Sequence, residues 1–144
     1  MQDLLPLRER EQFEIAKSIV PLIKGEEGDN LIIIDEHPRT FDALRHVTCE
    51  LQSVTRDIVV HYVDAKDAPD ILSSLVLDEP MVLVIRNADR LDKPHRLALL
   101  DNKAIFLLTK NLAWIDSLPR AVKSRFNVLE FSKYDKGEKT LLKG

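Results

Sequence analysis

An α/β fold built on a central parallel sheet is predicted by three observations. Short runs such as Leu31-Ile32-Ile33-Ile34 and Met81-Val82-Leu83-Val84-Ile85 are continuously apolar, as strands buried on both faces must be. Polar loops and apolar residues at helical spacing separate these runs along the chain. The 144 residues, 44% hydrophobic and 31% charged, have the size and mix of one soluble domain with a real core.

Taken in order, Phe13, Ala16, Ile19, Val20 and Ile23 give the stretch Leu7 to Lys24 one apolar helical face, while Arg8, Glu9, Arg10, Glu11 and Glu14 solvate the other. Pro21 kinks or ends that helix early. Gly25-Glu26-Glu27-Gly28-Asp29-Asn30 is a turn-rich connector into the strand Leu31 to Ile34, a run too short for a helix. Thr40 caps a helix whose buried stripe is Leu44, Val47 and Leu51, and Asp42 in its first turn suits the dipole. The alternation continues with strand Ile58 to Val63, helix Pro69 to Leu77, strand Met81 to Ile85 and helix Lys93 to Leu100. Strand Ala104 to Leu108, helix Leu118 to Lys123 and strand Val128 to Phe131 complete it. About five strands alternating with helices imply right-handed crossovers. Residues 1–132 form this domain; residues 133–144, polar and lysine-rich with Leu141 and Leu142 to bury, read as a short C-terminal helix or tail.

Charge and composition exclude several classes of function. A net charge of −3 offers no global attraction for nucleic acid or anionic membrane. Weak DNA contact would need a local patch, for which Lys103, Lys110, Arg120, Lys123 and Arg125 are the candidates. The single cysteine, Cys49, excludes an intramolecular disulfide and suits a reducing cytosol. With no signal peptide and no apolar stretch near about 18 residues, the expectation is a soluble cytoplasmic protein, nuclear if eukaryotic, with no membrane contact. His37, His46, His61 and His95 lack metal-ligand spacing, and Ser53, Ser73, Ser74 and Ser117 lack a nucleophile elbow.

Residues 31 to 44 are laid out as a nucleotide-binding unit, strand then tight loop then helix start, without its chemistry. A P-loop needs glycines so that backbone N–H groups can close around phosphate, a lysine for the terminal phosphates and a hydroxyl for magnesium. The loop here offers Asp35, Glu36 and Asp42 instead, and carboxylates beside a triphosphate in partly dry surroundings repel it by several kcal/mol. Arg39 could retain weak anion binding at the helix N-terminus, opposed by Asp35 and Glu36.

Several stretches together resemble the ATPase domain of the origin-recognition and replication-initiator family, a clamp-loader-related branch of the AAA+ ATPases. Leu5-Pro6-Leu7-Arg8-Glu9-Arg10-Glu11 is similar to that family's entry. Asn111-Leu112 followed by Leu118-Pro119-Arg120-Ala121-Val122-Lys123-Ser124-Arg125-Phe126 resembles its path from sensor strand to arginine finger, and Val128-Leu129-Glu130-Phe131 with Tyr134 resembles its exit. The resemblance implies a three-layer P-loop NTPase-like domain, with no counterpart here to the family's helical lid and winged-helix domain. Its P-loop falls on Asp35, Glu36, His37, Pro38, Arg39, Thr40, Phe41 and Asp42, with Phe41 or Arg39 at the lysine and Asp42 or Thr40 at the magnesium hydroxyl. Its Walker B strand runs into Arg86 and Asn87, which stand where the metal-holding aspartate and water-activating glutamate belong.

Phosphoryl transfer is mostly positioning and electrostatics, so losing both carboxylates removes the magnesium anchor and the water-orienting base. The resemblance therefore implies a catalytically inactive module with no cofactor, weak ATP binding being left open. Sensor chemistry could persist at Lys110 or Asn111, and Arg86 is expected to pair with Asp89 or Asp35 as a structural substitute for the lost magnesium charge. The implied partner is a protein, such as an active AAA+ ATPase or a replication factor. Alternative readings are a trans-acting subunit whose Arg125, or Arg120, completes a partner's site, and a DNA-binding remnant. Trp114, near the finger, serves either the core or a subunit interface. Whether the chain self-associates is not legible in the sequence.

Overall fold

The continuous apolar runs become strands covered on both faces. The computed structural model describes residues 15, 17–21, 30–34, 41, 44–46, 48–50, 58–76 and 79–130. Five parallel strands, β1 (Asn30–Ile34), β2 (Val59–Asp64), β3 (Met81–Arg86), β4 (Lys103–Thr109) and β5 (Phe126–Glu130), form one sheet in the order β2-β3-β4-β1-β5. Because side chains alternate along a strand, Leu31, Ile33, Val82, Val84 and Phe106 enter one core with the helical residues Ile15, Ile19 and Leu44. Their neighbours Ile32, Ile34, Leu83, Ile85 and Leu107 enter a second core with Leu97, Ile115 and Val122. Two cores flanking one sheet make the three-layer α/β architecture.

Handedness explains which segment covers which face. The connection leaving β1 runs toward the β2 edge, whereas those leaving β2, β3 and β4 run back the other way. Right-handed crossovers running in opposite directions must lie on opposite faces. Accordingly helical residues 41, 44–46 and 48–50, which follow β1, pack on the first face, and the described connections between β2 and β5 pack on the second. Polar Asn30 opens β1 in full burial, and its Oδ1 accepts the Ile105 N–H at 2.9 Å, so the buried amide is satisfied.

The second face is built from shorter helices than periodicity predicts. The helix expected over Pro69 to Leu77 is a 3₁₀ turn, Ile71–Ser73, with Leu77 outside the described residues. Lys93 to Leu100 becomes the 3₁₀ helix Pro94–Leu99, started by Pro94. Near Leu118 there are two helices, α1 (Leu112–Ser117) and α2 (Arg120–Lys123). Pro119 separates them, because a residue before proline is pushed out of helical geometry, and Leu118 duly has ψ 143°. Strand β5 starts at Phe126, ahead of the expected Val128. Val47, Leu51, Phe131 and the proposed boundary at residue 132 lie outside the described residues.

Candidate functional site

In a parallel α/β sheet, ligands bind at the carboxyl ends of the strands, where connections leave toward opposite faces. Here that switch point lies between the neighbours β1 and β4, with β3 on the far side of β4. The stretches that resemble a P-loop, a Walker B motif and a sensor therefore follow β1, close β3 and follow β4, all at one edge of the sheet. Asp35, Glu36, His37, Pro38, Arg39, Thr40 and Asp42 lie outside the described residues, while Phe41 is described.

Phe41 and Arg86 meet. The Arg86 guanidinium lies 4.9 Å from the centroid of the Phe41 ring, so a residue that the resemblance puts at the Walker B aspartate stacks on one of the two, Phe41 or Arg39, that it puts at the P-loop lysine. Phe41 also meets Tyr62 edge to face at 6.3 Å, and Arg45 covers Tyr62 at 5.4 Å. Burial pushes the Tyr62 hydroxyl up to about 12; the Cys49 thiol adds to that shift, while the Thr48 hydroxyl and the Arg45 charge oppose it. A neutral phenol is thus held against the helix that follows the P-loop, sharing hydrogen bonds with Thr48 and Cys49.

The expected ion pair of Arg86 with Asp89 is not formed. Asp89 instead accepts the Thr109 hydroxyl at 2.9 Å, which ties the turn after β3 to the end of β4; Asp35, the other expected partner, lies outside the described residues. Asn87 adopts the left-handed conformation, φ 54° and ψ 46°, which asparagine tolerates better than most residues, and its amide donates to Asp64 Oδ1 at 2.9 Å. The resemblance puts a catalytic glutamate at its place in the chain; its contacts are those of a turn residue linking β3 to β2.

Asp64 collects the remaining charge. Desolvation would raise its carboxyl, but hydrogen bonds from Asn87 and the Lys66 N–H, with the Arg86 and Lys66 charges, hold it below the usual carboxylate range. A depressed folded value stabilises the fold above the unfolded pKa, near 4, and that contribution is lost as pH falls through the folded value. Urea midpoints should therefore fall further between pH 6 and pH 3 in the wild type than in Asp64→Asn, which keeps the shape but not the charge. Equal falls in the two proteins would show that Asp64 contributes nothing.

Of the sensor and finger candidates, Asn111 and Arg125 are engaged by the fold. Asn111 Oδ1 accepts the Trp114 N–H at 3.0 Å, making Asn111 the N-cap of α1, and Lys110 is exposed beside it. Trp114 is half-buried against the second core. Arg125 donates to the Leu100 carbonyl at 3.1 Å, the Ala98 carbonyl at 3.4 Å and Asp101 at 3.2 Å, clamping the carboxyl end of the 3₁₀ helix Pro94–Leu99. Arg120 is exposed at the start of α2. Of the candidate basic patch, Lys103 is fully buried, donating to the Glu79 and Asp101 carbonyls, and Arg125 is engaged, which leaves Lys110, Arg120 and Lys123 exposed. Among the described residues no cluster suits a metal, and no described helix is long and apolar enough to cross a membrane.

Asp64, Thr109 and Tyr62 were not singled out by sequence reasoning. The available signal was position, since Asp64 and Thr109 end strands whose carboxyl edge forms the site.

The strand order and the three-layer architecture match the AAA+ P-loop NTPase fold of the solved structures to which the chain is similar. In that fold the chain is similar to Aeropyrum pernix ORC1 solved in complex with DNA, at 18% identity and TM-score 0.64, over 90% of this chain and 46% of that one. Pyrobaculum aerophilum Cdc6p matches at 15% identity and TM-score 0.63, over 90% and 46%. The Thermotoga maritima RuvB Holliday junction branch migration motor matches at 20% identity and TM-score 0.52, over 86% and 45%. The chain thus spans less than half the length of these structures. No protein-family model and no curated protein sequence matches it.

Proposed function

We propose that this chain is a non-hydrolysing AAA+-type module that acts as a protein-interaction or regulatory subunit in DNA replication or repair. The observation that supports the reading is Arg86 stacked on Phe41, a cation and a ring at the carboxyl edge of the sheet where the resemblance puts a magnesium carboxylate and a phosphate loop. Magnesium is repelled by the first and finds no ligand in the second. The replication and repair setting rests on likeness to an ORC1 solved with DNA, to a Cdc6p and to a branch-migration motor. The partner is an intact ATPase of the same fold or a replication factor.

Arg125 as a trans-acting finger is the weaker reading, because its guanidinium is spent on two carbonyls and a carboxylate. Exposed Arg120 is the residue that a finger role would need. Phosphate release from ATP with magnesium is expected to stay at the buffer blank, and affinity capture from the source cell to recover such a partner. Turnover that follows the protein through purification would overturn the first half of the reading; capture without any replication or repair protein would overturn the second.

A further inference from the structure

β2 is an edge strand, and among the described residues none pairs with its outer side. The Ala65 N–H bonds to the Arg86 carbonyl at 2.9 Å across the β2–β3 ladder. Backbone groups alternate in direction along a strand, so Val59, His61 and Val63 turn theirs toward β3, while Val60, Tyr62 and Asp64 turn theirs outward. Natural edges are blunted by lysine, proline or a bulge. Val59–Asp64 has none of these, pairs residue for residue with β3, and leaves Val59 43% exposed.

The side chains are self-complementary. Val59-Val60-His61-Tyr62-Val63 is close to symmetric about His61, with apolar or aromatic residues on both sides. On the second face, His61, Val63, Ile71, Leu75, Met81 and Leu83 line an apolar cavity of about 260 Å³ beside the strand, with Val76 on its wall 51% exposed.

We propose that β2 pairs antiparallel with β2 of a second copy of this chain about a two-fold axis at His61, joining the two sheets into one. A two-fold axis normal to the sheet keeps each side chain on its own face, so only residues of like parity can face one another. With the axis at His61, Val60 faces Tyr62 of the second copy. These are the residues whose backbone groups point outward, so each such pair exchanges both hydrogen bonds. Val59 then faces Val63 of the second copy and moves from solvent to the wall of the cavity. With the axis at Tyr62 instead, Val60 would face Asp64, setting an apolar residue against a carboxylate.

Sedimentation equilibrium from low micromolar to near-millimolar protein is expected to give the dimer mass. His61→Glu sets like charges face to face at the axis and is expected to weaken association about tenfold or more without changing the far-ultraviolet circular dichroism. Residues facing each other in a non-hydrogen-bonded pair lie within disulfide range. In a Cys49→Ser background, His61→Cys is therefore expected to oxidise to a covalent dimer, and Val59→Cys is not. A wild-type monomer at all concentrations, a dimer indifferent to His61→Glu, or faster cross-linking through Val59→Cys would each overturn the proposal.

Discussion

Arg125→Met is expected to lower folding stability by about 2–3 kcal/mol, the range for a lost hydrogen-bonding charged group that leaves buried acceptors unpaired. The guanidinium reaches back from the end of α2 to the Leu100 and Ala98 carbonyls, which close the 3₁₀ helix over the second core. Its ion pair with Asp101 adds little, since that carboxylate is 59% exposed. The carbonyl bonds therefore dominate, and Asp101→Asn should change stability far less. Arg125→Lys should recover part of the loss, because one ammonium cannot span the acceptors that a planar fork reaches. Urea denaturation of the variants measures this. A loss under about 0.5 kcal/mol, the range of an ordinary surface substitution, would mean that the guanidinium is not clamped and is free for another role.

Phe106→Ala is expected to have the largest effect on folding, about 3–5 kcal/mol, from lost transfer energy and the cavity left behind. Phe106 lies on the central strand β4, opposite Leu31 on one side and Val84 on the other, and is fully buried. The strands fix the cavity's walls, so collapse to refill it is limited. Phe106→Leu, which keeps most of the volume, should lose much less. Denaturation midpoints compare the two, and similar losses would show that the site is not close-packed.

The strands were legible because doubly buried parallel strands leave an unmistakable composition, and Leu31 to Ile34 and Met81 to Ile85 carry it undiluted. The same continuity hides which residues face which layer. That assignment came from crossover direction, a property of strand order that no single run contains. Helices on the second face were over-extended because apolar spacing over Pro69 to Leu77 persists in a shorter 3₁₀ turn. Helix α1 passed unnoticed, although Asn111, its cap, was in view as a sensor candidate.

At the site, the sequence shows which residues reach the carboxyl edge of the sheet, but not what they contact there. Arg86, exposed at the end of β3, was expected to find a carboxylate and instead stacks on Phe41. The two residues are joined by the fold alone, since β3 must come alongside the helix that follows β1 before ring and guanidinium can meet. Arg125 shows the same effect, its acceptors lying on the 3₁₀ helix and loop before β4.

The central claim is that ring and cation occupy the pocket where a magnesium–nucleotide pair would sit. Isothermal titration of the intact protein with ATP and magnesium tests it most directly. The account predicts no saturable heat up to millimolar nucleotide, whereas a saturable isotherm with a micromolar dissociation constant would contradict it.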